Sequence, residues 1–183
     1  MNLHEALAEN KVVIAEKWLD AVLSSYHEDG AQFFKRQKDQ FANPLGHNAR
    51  TGLEKAVERL AAGKSWELPS EFAQFIKLRA VQSFSPSEAV AFIYDLKRII
   101  VKECGKDLLV ANFSEWLEIE AELDKLALRT FELYAADREL IYKIKVQEFK
   151  SGNAVVAGGG CPSGAMMRKH NEEKIELKVV RDS

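Results

Sequence analysis

From Ser114 to Lys150 the chain contains neither glycine nor proline. Along that run Trp116, Ile119, Leu123, Leu126, Thr130, Leu133, Asp137, Leu140 and Ile144 follow one another in steps of three and four. Steps of that size place side chains on one face of an α-helix, whereas a strand needs steps of two. Leu117, Ala127, Phe131, Tyr134 and Ile141 flank the stripe and widen it in the middle. A helix of this length spans roughly 50 Å, more than a domain of this size needs to cover itself. Such a helix pairs with a copy of itself, passes a signal along its axis, or crosses the whole domain.

The same period runs through the rest of the chain as far as residue 150. Leu3, Leu7, Ile14, Trp18, Val22 and Tyr26 give an N-terminal helix its apolar face. A polar break is expected from His27 to Gly30, then a short basic helix over Gln32–Gln40 with Lys35, Arg36 and Lys38. Asn43-Pro44 has the chemistry of a helix opening, an N-cap followed by proline in the first turn, and Gly63 supplies a stop. Ser70 opens a helix carrying Phe72, Phe75, Ile76, Leu78 and Val81, with a break expected near Phe84. Ser85-Pro86-Ser87-Glu88 then reads as a capping box, followed by an apolar helix that Gly105 can end. The fold class expected is all-α.

After Lys150 the composition changes. Five of the ten glycines lie between Gly152 and Gly164, around Gly158-Gly159-Gly160-Cys161-Pro162. The expected organisation is a helical domain over 1–150 and a flexible glycine-rich tail over 151–183. In that tail Ile175, Leu177 and Val179 alternate with charged residues as in a short strand or docking peptide. Net charge is -2, which gives no electrostatic reason to expect a nucleic acid or an anionic membrane as partner. No stretch approaches the ~20 apolar residues of a membrane span and no signal peptide is evident, so a cytoplasmic location without membrane insertion is expected.

Catalytic chemistry has little to work with. The histidines are His4, His27, His47 and His170, leaving none from 48 to 169. No HExxH, CxxC, phosphate-binding loop or GxSxG occurs, and no catalytic or metal site is expected. Glu115, Glu118 and Glu122 share one side of the last helix, where acidic residues balance the dipole and solvate the face. His47 and Arg50, one turn apart near a helix start, can form a small anion or ligand site or serve structural roles. Cys161 is a candidate for redox exchange or docking, and Cys104 reads as a small core residue.

Two segments resemble a known family. Phe41-Ala42-Asn43-Pro44-Leu45-Gly46-His47-Asn48-Ala49-Arg50-Thr51-Gly52-Leu53 and Leu78-Arg79-Ala80-Val81-Gln82-Ser83-Phe84-Ser85-Pro86-Ser87-Glu88-Ala89 are similar, in order, to segments of the RsbRD N-terminal domain family of stressosome-type regulators. The likeness covers residues 3 to 150. It implies a globin-like helical bundle that works without haem or another cofactor, dimerises, and leads its final helix toward an effector. In such regulators the effector is a STAS domain. The 33 residues after Lys150 are too few for one, so a stand-alone sensor or adaptor is expected. A haem protein needs a proximal histidine late in the fold, where this chain has none.

The function expected is therefore non-enzymatic: a sensory or regulatory domain acting as a homodimer and through protein–protein contacts. Its dimer or output helix is carried by Trp116, Ile119, Leu123, Leu126, Leu133, Leu140 and Ile144. Two alternatives stay open at this point. One is an accessory protein docking onto an electron-transfer complex through the Cys161 tail. The other is a small-molecule or haem-binding globin with Phe72, Phe75, Phe84 and Phe92 lining its pocket.

Overall fold

The structure, a computed structural model, describes residues 1–151 apart from 27, 38, 40, 65, 66 and 83. Among the described residues there are seven helices and no strand: α1 (Leu3–Leu23), α2 (Glu28–Arg36), α3 (Pro44–Ala61), α4 (Ser70–Val81), α5 (Pro86–Cys104), α6 (Lys106–Ala111) and α7 (Phe113–Lys150). The chain divides into two units, Met1–Ile141 and Tyr142–Ser183. In the second, the described residues are the last helical turns of α7, whose side chains from Tyr142 to Lys150 are all exposed. The glycine-rich stretch, with Cys161 and His170, lies outside the described residues.

In the first unit α1 packs against α3 and α5, and α3 packs against α4. Helix α1 starts where Asn2 and Glu5 form a reciprocal capping box, a local signal that settles two of the amides left unpaired at a helix start. A third, that of Leu3, donates to Glu115 Oε2 of α7 at 2.9 Å. The acidic first turn of α7 thus caps another helix. Leu3, Leu7, Ile14, Trp18 and Val22 are fully buried along the inner face of α1, at the spacing the sequence shows.

An aromatic cluster fills the centre. The Trp18 ring stacks on Phe92 at 5.7 Å and lies 6.4 Å from Phe72. Phe72, Phe75 and Phe92 touch one another at 5.8–6.5 Å. The one polar group of Trp18 is satisfied, its Nε1 donating to the Phe92 carbonyl at 2.7 Å. Each such side chain contributes about 1.5–3 kcal/mol by leaving water. These aromatics therefore pack on each other as core.

The connections follow local chemistry. Asn43 and Ser85 cap α3 and α5, both as their sequences indicate. Gly63 at φ +60° ends α3, and Gly105 at φ +84° turns α5 into α6, backbone angles that favour glycine. Two elements depart from expectation. Helix α2 begins at Glu28, so Glu28–Gly30 of the expected polar break are already helical, and it ends at Arg36 rather than Gln40. Tertiary packing of Phe34 against Tyr26, ring to ring at 5.2 Å, outweighs the roughly 1 kcal/mol by which Gly30 disfavours a helix. Helix α6, of six residues, was not expected, since it is too short to show a period.

Candidate functional site

The first motif segment builds a corner between α2 and α3. Asn43, 1% exposed, accepts from the Gly46 amide at 2.8 Å. It also donates through Nδ2 to the carbonyls of Phe34 and Gln37 at 3.0 and 2.7 Å. One side chain thus caps α3 and satisfies the end of α2. Gly46 is required beside it, because a Cβ there would run into the Asn43 amide and lie 2.8 Å from the Phe34 carbonyl oxygen. Gly52 has the same character: a Cβ would stand 2.6 Å from the Phe72 nitrogen and 2.7 Å from its Cα, so α4 crosses α3 in near backbone contact. His47 and Arg50 lie on α3 with half-buried side chains, and no hydrogen bond or ion pair joins them among the described residues.

The second segment builds a buried cation. Arg79 is fully buried on the inner stripe of α4 with Phe72, Phe75 and Ile76. Its guanidinium carbon lies 4.0 Å from the Phe84 ring centre and 5.5–5.6 Å from those of Tyr26, Phe75 and Phe92, within reach of cation–π attraction. Its acceptors are the neutral Ser25 hydroxyl at 3.4 Å and the Glu88 carbonyl at 3.2 Å, and its Nε has no partner. Burial pulls the Arg79 pKa below its ordinary value, opposed by the neighbouring Tyr26, Glu88 and Tyr134. Burial likewise raises that of Tyr26, against the pull of the Arg79 charge. Tyr26 donates to Gln82 Oε1 at 3.0 Å.

Helix α7 grips the same place. Tyr134 donates its hydroxyl hydrogen to the Phe84 carbonyl, and Arg138 Nη1 donates to the carbonyls of Ala80 and Gln82 at 3.1 and 3.3 Å. Further along, Lys97 of α5 pairs with Asp124 at 2.8 Å.

The apolar residues of α7 separate into two faces. Ile119, Leu123, Leu126, Ala127, Thr130 and Tyr134 are buried in the first unit. Trp116 and Leu133 are half-buried, and Leu140 and Ile144 are about half exposed. Of the residues expected to widen the inner stripe, Leu117 and Phe131 instead lie outside with Leu128, exposed by 49, 47 and 66%. Leu117, Leu128 and Phe131 fall on one side of a 3.6-residue helix. A groove of about 510 Å³ between α5 and α7 is lined by Pro86, Val90, Tyr94, Ala127, Leu128 and Phe131. The sequence reading missed this outer face, because the denser inner stripe dominates the pattern.

Among the described residues no group of three or more His, Cys, Asp or Glu side chains could hold a metal ion, and no helix is long and apolar enough to cross a membrane. Glu115 serves the α1 start, and Glu122 pairs with Lys125 at 2.6 Å. Cys104 is half-buried, and burial raises its thiol pKa.

These features define an all-helical domain closed by a long C-terminal helix, with both motif segments placed at its corners. The chain belongs to the RsbT co-antagonist protein rsbRD N-terminal domain family, whose model matches residues 13–147; the family is one of signalling and regulatory domains. No curated protein and no solved structure matches the chain.

Proposed function

We propose that this chain is a non-enzymatic, stress-response type regulatory domain that acts as a homodimer and through protein–protein contacts, with α7 as the contact helix. The observation that carries the reading is the apolar face of Leu128 and Phe131, continuous with Tyr94 in the α5–α7 groove. Large apolar side chains clustered at an exposed groove mark interaction sites, and aromatic residues dominate the energetics of such sites. The partner on this face is a second copy of α7. Family membership supports the regulatory part of the reading.

Sedimentation equilibrium of the full chain tests it, alongside a Leu128→Glu/Phe131→Glu double variant. The expected result is a dimer for the natural chain and a monomer with unchanged helical circular dichroism for the variant. Val12, 61% exposed on α1, provides the control: Val12→Glu leaves the dimer intact. A natural chain that stays monomeric at every concentration overturns the proposal.

A further inference from the structure

Where α4 stops at Val81, its last carbonyls lack partners within the helix, and the chain has four residues in which to enter α5. The partners come from α7. Arg138 takes the carbonyls of Ala80 and Gln82, and Tyr134 takes that of Phe84. The two donors stand one turn apart on α7, and their three acceptors lie within residues 80–84. From the other side, Arg79 reaches across the turn to the Glu88 carbonyl while lying against the Phe84 ring. The turn is therefore held by its carbonyls from α7 and by its ring from α4.

A second, independent observation falls on the same seam. Thr130 Oγ1 and Asp137 Oδ2 of α7, with Arg79 Nε of α4, are buried without a hydrogen-bond partner among the described residues. Buried polar atoms left unsatisfied cost free energy, and water entering the seam would satisfy them. The stretch of α7 from 130 to 138 thus combines strong specific ties with a local incentive to open.

We propose that Gln82 and Phe84, between α4 and α5, and the 130–138 stretch of α7 form a latch that opens and closes as one unit. Arg138 and Tyr134 are its ties, and the unpartnered polar atoms of Thr130, Asp137 and Arg79 bias it toward opening. Phe131 lies one turn before Tyr134, so opening the latch displaces the exposed face of α7. That regulatory consequence rests on the reading of α7 as the contact helix; the coupling itself does not.

Hydrogen–deuterium exchange on the full chain tests the latch with Arg138→Met and Tyr134→Phe. Loss of hydrogen bonds from a charged group speeds local opening by about tenfold or more. The expected result is that peptides covering 80–90 and 128–141 lose protection together, while those of α1 and α3 do not change. Loosening of one segment alone, or of neither, overturns the latch. Should Arg138→Met fail to fold, Arg138→Lys retains a donor, and a smaller loss shared by both segments is expected; an unshared loss overturns it equally. Sedimentation of the natural chain, set beside the exchange of the variants, separates the two proposals. A monomeric natural chain whose variants loosen both segments together keeps the latch and removes the dimer, and a dimeric natural chain whose variants leave the segments uncoupled does the reverse.

Discussion

Replacing Gly52 with alanine sets two known effects against each other. In a helix interior alanine is favoured over glycine by about 1 kcal/mol, so propensity alone makes Gly52→Ala stabilising. The new Cβ, however, would meet the Phe72 nitrogen at 2.6 Å and its Cα at 2.7 Å. These are backbone atoms and cannot swing aside, so the start of α4 must retreat by about 0.8 Å to reach ordinary contact. Phe72 is fully buried against Trp18 and Phe92, and a gap of that size forfeits about a quarter to a half of each dispersion contact it opens. Overpacking of this kind costs about 1–3 kcal/mol, and more where backbone must move. The expected net loss is about 2 kcal/mol, or about 4–8 °C in Tm for a chain of this size. Gly30→Ala is the matched control. There the Cβ meets only Phe34 Cε2 at 3.7 Å, so propensity acts alone and Tm rises by about 1–4 °C. Thermal melts and urea titrations with unchanged slope measure both. A Gly52→Ala protein as stable as the natural chain, or more so, refutes the close crossing of α3 and α4.

Asn43→Ala removes a cap and leaves two carbonyls unsatisfied, with an expected cost of about 2–4 kcal/mol. Asn43→Asp keeps the acceptor but sets a buried carboxylate oxygen against the two carbonyl oxygens, so its melt at pH 7 is no higher than that of Asn43→Ala. Glu71, held at 2.6 Å by Lys55, has its pKa lowered from 4.5 to about 2. Its folded pKa lies below its unfolded one, so the pair adds stability above about pH 4.5 and loses it as pH falls toward 2. Glu71→Gln is therefore slightly less stable at pH 7, by at most about 1 kcal/mol for so solvated a pair. The gap between the two proteins closes across that acid window, as pH-dependent melts will register. Arg79→Met removes a buried charge without orphaning a carboxylate, so its unfolding free energy from urea titration is expected to fall by far less than the roughly 3–5 kcal/mol that breaking a buried ion pair costs.

What the sequence made legible was local. The helix starts at Asn43 and Ser85 depend on a few adjacent residues, and their hydrogen bonds form as those residues dictate. The long helix was legible for the same reason, since an uninterrupted period needs no tertiary context. The start of α2 was not, because the ring contact of Phe34 with Tyr26, which lies outside any helix eight residues earlier, leaves no periodic signature in the sequence. Arg79 was hidden for a different reason. An arginine in a helix is ordinarily solvated, and its place on the stripe of Phe72, Phe75 and Ile76 was the one available signal. The inner and outer faces of α7 could not be told apart at Phe131 and Leu117, which flank a stripe that reads as single. The motif residues that carried the family resemblance do structural work in the fold: Asn43 and Gly46 shape one corner, and Arg79, Phe84 and Ser85 shape the other.

On this account the turn between α4 and α5 holds α7 in place, and α7 presents Leu128 and Phe131 to a second copy of the chain. The most direct test places the photo-reactive residue p-benzoylphenylalanine at Phe131 and, separately, at Val12. Irradiation of the first is expected to yield a covalent species of twice the chain mass, and irradiation of the second none. No covalent dimer from position 131, or equal yields from both positions, contradicts the claim that α7 is the contact helix.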